Sequence, residues 1–144
     1  MNEISTVKAG AGLSECSAEA IEAVKAARSE LAKAPQVMLP CEQHIHAGVY
    51  TRTLYIPKGI CVFGTLIKRT TQLIIAGHAL INDGTKAVEL KGYNILDCAA
   101  NRIQCAYAIE DTYATMIFAT DAKTNDEAER EFTDEFELLQ TRRM

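Results

Sequence analysis

The stretch QLIIAGHALINDGTKAVELKGYNILD, residues 72–97, decides the fold. It divides into short apolar or β-branched runs at 72–76, 78–81, 86–90 and 94–97, each long enough for a strand and too short for a helix. No 3.6-residue period survives in it. Asn82-Asp83-Gly84 is a hairpin signal, because Asp and Gly tolerate the positive φ angles of a type I′ turn. The same texture extends outward, with runs at 49–56 and 60–67 before this stretch and at 103–109 and 112–120 after it. Turn residues separate the runs about every eight to twelve positions, the spacing of an all-β sandwich or barrel. Pro57-Lys58-Gly59 predicts a β-turn with Pro second and Gly fourth. Eight such runs predict a mainly β, double-sheet jelly roll over residues 35–121.

The two ends of the chain read differently. Ser17 as N-cap, Glu19 in the first turn, and Ala20, Ile21, Val24, Ala27 and Leu31 at helical spacing predict a helix within 17–34, which Pro35 stops. Its Ala-rich apolar face is narrow and suits packing across a sheet or a neighbouring subunit. Residues 1–16, with Gly10 and Gly12 and few apolar side chains, read as a flexible arm. Residues 122–144 form an acidic helix and tail, in which Thr124 and Glu127 make a capping box and Phe132, Phe136 and Leu139 share one face.

Composition excludes several classes. The 144 residues, 48% hydrophobic and 24% charged, fit one soluble globular domain. No apolar run approaches the ~18 residues of a membrane-spanning helix. The first residues, with the single Lys8 and no apolar core, do not resemble a secretory leader, so a cytoplasmic location is expected. A net charge of −4 argues against general nucleic-acid binding, and the Arg142-Arg143 pair is too short to reverse it. Five cysteines without a CxxC motif read as reduced, mostly buried thiols. The absence of GxGxxG, Walker A, HExxH and GxSxG patterns removes support from phosphate-loop and common hydrolase mechanisms.

Two groups of residues carry possible chemistry. Glu42, His44 and His46 alternate, so on an extended strand they share a face and offer ligands for a divalent metal such as Fe, Mn, Ni or Zn. His78 is the remaining histidine. Ordinary hydrogen bonding at a strand end is the plainer alternative, and a one-residue register slip would turn both imidazoles to solvent. Tyr50 and Arg52, with Tyr107, Glu110 and Asp111, are candidates to hold an anionic or sugar-like ligand; equally, Arg52 could pair with Glu110 or Asp111 as a structural ion pair. Cys41 lies near His44 in sequence but carries no nucleophile signature beyond that, and reads as a buried thiol.

Glu42-Gln43-His44-Ile45-His46-Ala47-Gly48-Val49-Tyr50-Thr51-Arg52, followed by Ile56-Pro57-Lys58-Gly59 and Gly64, resembles the small cupin-like proteins of bacteriophages and prophages. Residues 102–112 resemble their closing strands. The resemblance covers most of 35–120 and implies a cupin-like β domain flanked by the two helices. It also implies a histidine pair at positions occupied here by Ile67 and Thr71, neither of them a metal ligand, and so a degenerate metal site. The expected function is a non-catalytic protein acting through protein contacts, virion-associated or accessory, in the host cytoplasm or the virion. No cofactor is expected on this reading. Phage structural proteins are possible partners, and a homodimer or higher homo-oligomer is expected because exposed sheet edges need cover. A metal-dependent enzyme or sensor using His44 and His46, and a metal-free small-ligand binder at the barrel mouth, are the alternatives.

Overall fold

The computed structural model describes residues 12–142. One seven-stranded sheet contains β1 (Gly12–Leu13), β2 (Cys41–His46), β3 (Val49–Ile56), β4 (Cys61–Phe63), β5 (Thr71–Asn82), β6 (Ala87–Cys98) and β7 (Cys105–Ala119). Its order is β1-β6-β5-β7-β3-β2, with β4 paired to β7 off that path. Two α-helices are present, α1 (Ala18–Leu31) and α2 (Asn125–Phe132), followed by 3₁₀ turns at Phe136–Leu138 and Gln140–Arg142. No helix of the described residues is long and apolar enough to cross a membrane.

The eight short runs resolve into fewer, longer strands. Runs 72–76 and 78–81 are one strand, β5; 86–90 and 94–97 are β6; 103–109 and 112–120 lie in β7. The ladder continues through the breaks because they are bends rather than ends. Gly77 (φ 144°) and Gly92 (φ 84°) face each other across β5 and β6, and the β5–β7 register shifts on either side of His78. A Cβ at Gly77 would collide with the Asp111 carbonyl and come within 2.6 Å of the Thr112 hydroxyl, so glycine alone fits there. Ile75, Leu96 and Cys98 on one side of the bend pack in one cluster with Ile81 and Leu90 on the other. The bent sheet thereby encloses its own core.

Several local expectations are corrected. Strand β2 falls outside the eight runs because its sequence is polar on one face, as an edge strand allows. The 60–67 run keeps only β4. The β5–β6 connection closes with Asn82 opposite Ala87, so the loop is longer than a two-residue I′ turn; the Asp83 carboxylate accepts from the Thr85 and Lys86 amides and organises it. At 57–60 the Ile60 amide donates to the Pro57 carbonyl and Gly59 has φ 85°, which makes Pro first and Gly third.

Ser17 caps α1 by accepting from the Ala20 amide at 3.1 Å, and Ala20 and Val24 pack with Cys16 and Ile103. Gly12–Leu13, expected in a free arm, pairs in parallel with Asp97–Cys98 of β6. Residues 1–11 of that arm, including Lys8 and Gly10, lie outside the described residues, as does Arg143. The Thr124–Glu127 capping box is present, but α2 stops at Phe132, so Phe136 opens the first 3₁₀ turn and Leu139 lies between the two turns. Thr133 is extended, and its hydroxyl accepts from the Glu135 amide at 3.1 Å, which redirects the chain.

Candidate functional site

The Ala47-Gly48 turn decides which way the candidate residues point. Both have positive φ, 53° and 73°, the signature of a two-residue I′ hairpin, and it sets His46 opposite Val49 and Ile45 opposite Tyr50. Tyr50 is fully buried, so Cys41, Gln43 and Ile45 face inward with it. Glu42, His44 and His46 share the outer face and are exposed, with 3.9 Å between the Glu42 carboxylate and His44 Nε2. Among the described residues, no group of three or more His, Cys, Asp or Glu side chains could hold a metal ion. The sequence left the direction of His44 and His46 to strand register, and the register turns both of them, with Glu42, to the outer face.

The inner face carries a polar network instead. The Tyr50 hydroxyl donates to Gln43 Oε1 at 2.6 Å, and Arg52 Nη1 reaches the same oxygen at 3.3 Å. Arg52 Nη1 also donates to Glu129 Oε2 at 3.1 Å and lies over the Phe132 ring, 5.6 Å from its centre. Glu129 is buried in α2, and accepts further from Thr141 Oγ1 at 2.5 Å and Arg142 Nε at 2.6 Å. Arg142 in turn pairs with Asp126 at 2.6 Å. Burial pushes the Tyr50 phenol and the Cys41 thiol up from their ordinary values. Burial alone would lower Arg52, but Tyr50, Cys41 and Glu129 hold its guanidinium in the charged form.

Arg52 thus pairs with Glu129 rather than with Glu110 or Asp111. Those two carboxylates sit at the sheet bend, where Lys58 Nζ lies 3.7 Å from Glu110 and the Lys58 amide donates to Asp111 at 2.9 Å. Tyr107 is exposed on the far side of the bend, opposite Cys61 of β4. The structure therefore brings Tyr50 and Arg52 together and leaves Tyr107, Glu110 and Asp111 elsewhere. His78 Nε2 lies 2.6 Å from Glu89.

Sequence reasoning missed Gln43, Glu129, Phe132, Thr141 and Arg142 as partners of the Tyr50–Arg52 pair. The available signal was the three-residue spacing of Glu129 and Phe132, which places both on one helix face. At the positions of the implied histidine pair, Ile67 packs against the Tyr50 cluster and the Thr71 hydroxyl accepts from buried Arg102 at 2.7 Å. Neither fits a metal, and an inner face built around the Arg52 cation does not either.

A separate groove of about 510 Å³ runs between the end of α1 and β4, lined by Arg28, Leu31, Val37, Cys61, Phe63 and Leu138 among others. None of the candidate residues lines it. Beside it, Cys61 Sγ and Cys105 Sγ are 3.9 Å apart, and burial, reinforced by Cys61, pushes the Cys105 thiol up to about 12.

No known family profile matches the chain, and no curated protein sequence is similar to it. Solved structures do share its shape. A cupin superfamily protein from Desulfitobacterium hafniense aligns at TM-score 0.50 and 17% identity, over 61% of this chain and 83% of its own. An uncharacterized conserved protein with a double-stranded β-helix domain from Klebsiella pneumoniae aligns at TM-score 0.50 and 10% identity, over 63% and 84%. At these identities the likeness concerns fold alone: the chain has a mainly β, cupin-like jelly roll.

Proposed function

We propose that this cupin-like chain is a non-catalytic module that acts through protein contacts. One observation supports the reading above the others: Glu129 and Phe132 of α2 sit on Arg52 and Tyr50 at the inner face of the sheet. The protein's own C-terminal segment occupies the place where a small ligand would meet those side chains, and its apolar residues Ala128, Phe132 and Leu139 complete the cluster there. Binding a substrate at Tyr50 and Arg52 would require expelling that segment.

The setting in this proposal is a phage or prophage protein, virion-associated or accessory, in the host cytoplasm or the virion, working as a homo-oligomer and needing no cofactor. It rests on the resemblance carried by residues 42–52 and 102–112. Elemental analysis of the purified protein, beside a His44→Ala, His46→Ala variant, tests the non-catalytic reading. The expected outcome is no stoichiometric Fe, Mn, Ni or Zn in either protein and an unchanged melting temperature. About one equivalent of metal, lost in the variant, would replace this reading with a metal-dependent enzyme or sensor.

A further inference from the structure

Two thiols meet where β4 joins β7. Cys61 stands opposite Tyr107 and Phe63 opposite Cys105, so these side chains share one face, and the Cys61 and Cys105 sulfurs reach across the ladder diagonally to 3.9 Å. The other three cysteines are placed differently. Cys16 and Cys98 are buried, at 7% and 1% exposure, and their thiols donate to backbone carbonyls, those of Asp83 and Ile103 for Cys16 and that of Leu96 for Cys98. Cys41 lies on the inner face with Tyr50. Cys61 and Cys105 are both partly exposed, and Cys61 lines the open groove at the end of α1, which gives a small oxidant access.

We propose that Cys61 and Cys105 are a redox-active dithiol, a modification site that hydroperoxides convert to a disulfide. The site stands apart from the Tyr50–Arg52 network and does not depend on the contact-module reading. The thiol contact assigns the roles. Burial, reinforced by Cys61, pushes the Cys105 thiol up to about 12, so Cys105 keeps its proton and donates it toward Cys61 Sγ, the attacking sulfur. In the first step the Cys61 thiolate attacks one peroxide oxygen and the O–O bond breaks. The other oxygen takes a proton from solvent and leaves as an alcohol, or as water from hydrogen peroxide, and Cys61 becomes a sulfenic acid. A neutral sulfur at Cys61 removes the charge that opposed ionisation of Cys105. In the second step Cys105 gives up its proton and attacks Cys61 Sγ, and the S–O bond breaks as the hydroxyl departs with that proton as water. The two thiols together lose two electrons, and one peroxide bond gains them.

Strand β4 can accommodate the bond. A disulfide is about 2.05 Å long, so roughly 1.9 Å of approach remains. Diagonal Cα atoms in a flat ladder lie about 7–8 Å apart. A relaxed disulfide spans only about 4.4–6.8 Å, so closure draws β4 toward Cys105. This strand has three residues, and the Ala108 amide donates to the Ile60 carbonyl and the Gly64 amide to the Gln104 carbonyl. By alternation the Cys61 and Phe63 amides point away from β7, and no described strand pairs on that side to resist the shift. Cys61, Val62 and Phe63 also wall the groove, so oxidation reshapes it. A bond closed over that span is strained and readily reduced, which makes the modification reversible.

Thiol counting and peptide mapping without reductant test the proposal on the full chain. With a few equivalents of hydrogen peroxide, the wild type is expected to lose two of its five thiols and the mass of two hydrogens, with Cys61 linked to Cys105 within one chain. These two thiols should disappear at least ~10-fold faster than Cys16 and Cys98. Dithiothreitol should restore both. Cys105→Ser is expected to stop at a Cys61 sulfenic acid that dimedone traps, and Cys61→Ser to leave Cys105 reduced. Retention of all five thiols, oxygen addition without a link, a link through another cysteine or between chains, or a Cys105→Ser protein that melts as the wild type and takes up no dimedone would each overturn the proposal. The wild-type map decides the disulfide by itself, whatever either variant does to folding.

Discussion

Glu135 shows how a single carboxylate joins distant parts of this chain. Its two oxygens take a fork of hydrogen bonds from Arg28 of α1, at 3.0 and 2.8 Å, and Oε1 also accepts the Leu66 amide at 2.8 Å. The Arg28 bonds, with the Leu66 amide, hold its carboxyl below the ordinary value of 4.5 against the opposing effect of burial. A carboxyl whose folded-state pKa is depressed stabilises the fold fully above its unfolded value. That contribution is lost as pH falls through the folded value. The melting temperature is therefore expected to drop below about pH 4.5, and Glu135→Gln to flatten this acid limb while lowering stability at neutral pH. Thermal melts of both proteins from pH 7 to about pH 3 check this; parallel acid limbs would remove Glu135 from the account.

At the scale of elements, turns and bends decide more than propensity does. Ala47-Gly48 sets the β2–β3 register, and Gly77 lets the long β5 strand turn the corner. Gly77 and Gly59 both have positive φ, yet a Cβ at Gly59 would meet nothing within 4 Å, whereas at Gly77 it would meet the Asp111–Thr112 backbone. Gly59→Ala is expected to cost about 1 kcal/mol, the conformational penalty alone. Gly77→Ala should cost clearly more, roughly 3 kcal/mol, because steric overlap adds to that penalty. Equal costs in denaturant unfolding would show that the bend tolerates a side chain. The punctuation of the bends was legible in the sequence: the breaks at Gly77, at Gly92 and around Asp111 were all visible. What they interrupt was not, since a glycine that ends a strand and one that bends it leave the same trace.

For the whole molecule, the C-terminal segment is the closing piece. Phe132 stacks on Tyr50 at 6.0 Å and contacts Phe118 edge-on at 6.2 Å, which ties α2 to β3 and β7. Phe132→Ala is expected to cost roughly 3–5 kcal/mol, the range for emptying a buried aromatic site. It should also bind a hydrophobic dye, as the inner face of the sheet opens. A loss below about 1 kcal/mol would mean that α2 contributes little to closure.

The sequence by itself determined the β-rich middle, the N-cap of α1 at Ser17, the Thr124–Glu127 capping box and the sharing of one face by Glu42, His44 and His46, because propensity, capping and alternation are local. The tertiary structure alone decided which face that was, and that Arg52 meets Glu129 rather than Glu110 or Asp111. Strand alternation fixes faces only relative to one another, so direction waits for the hairpin register and for the burial of Tyr50. The Arg52–Glu129 pair joins residues 77 positions apart, and no local pattern carries information across that distance.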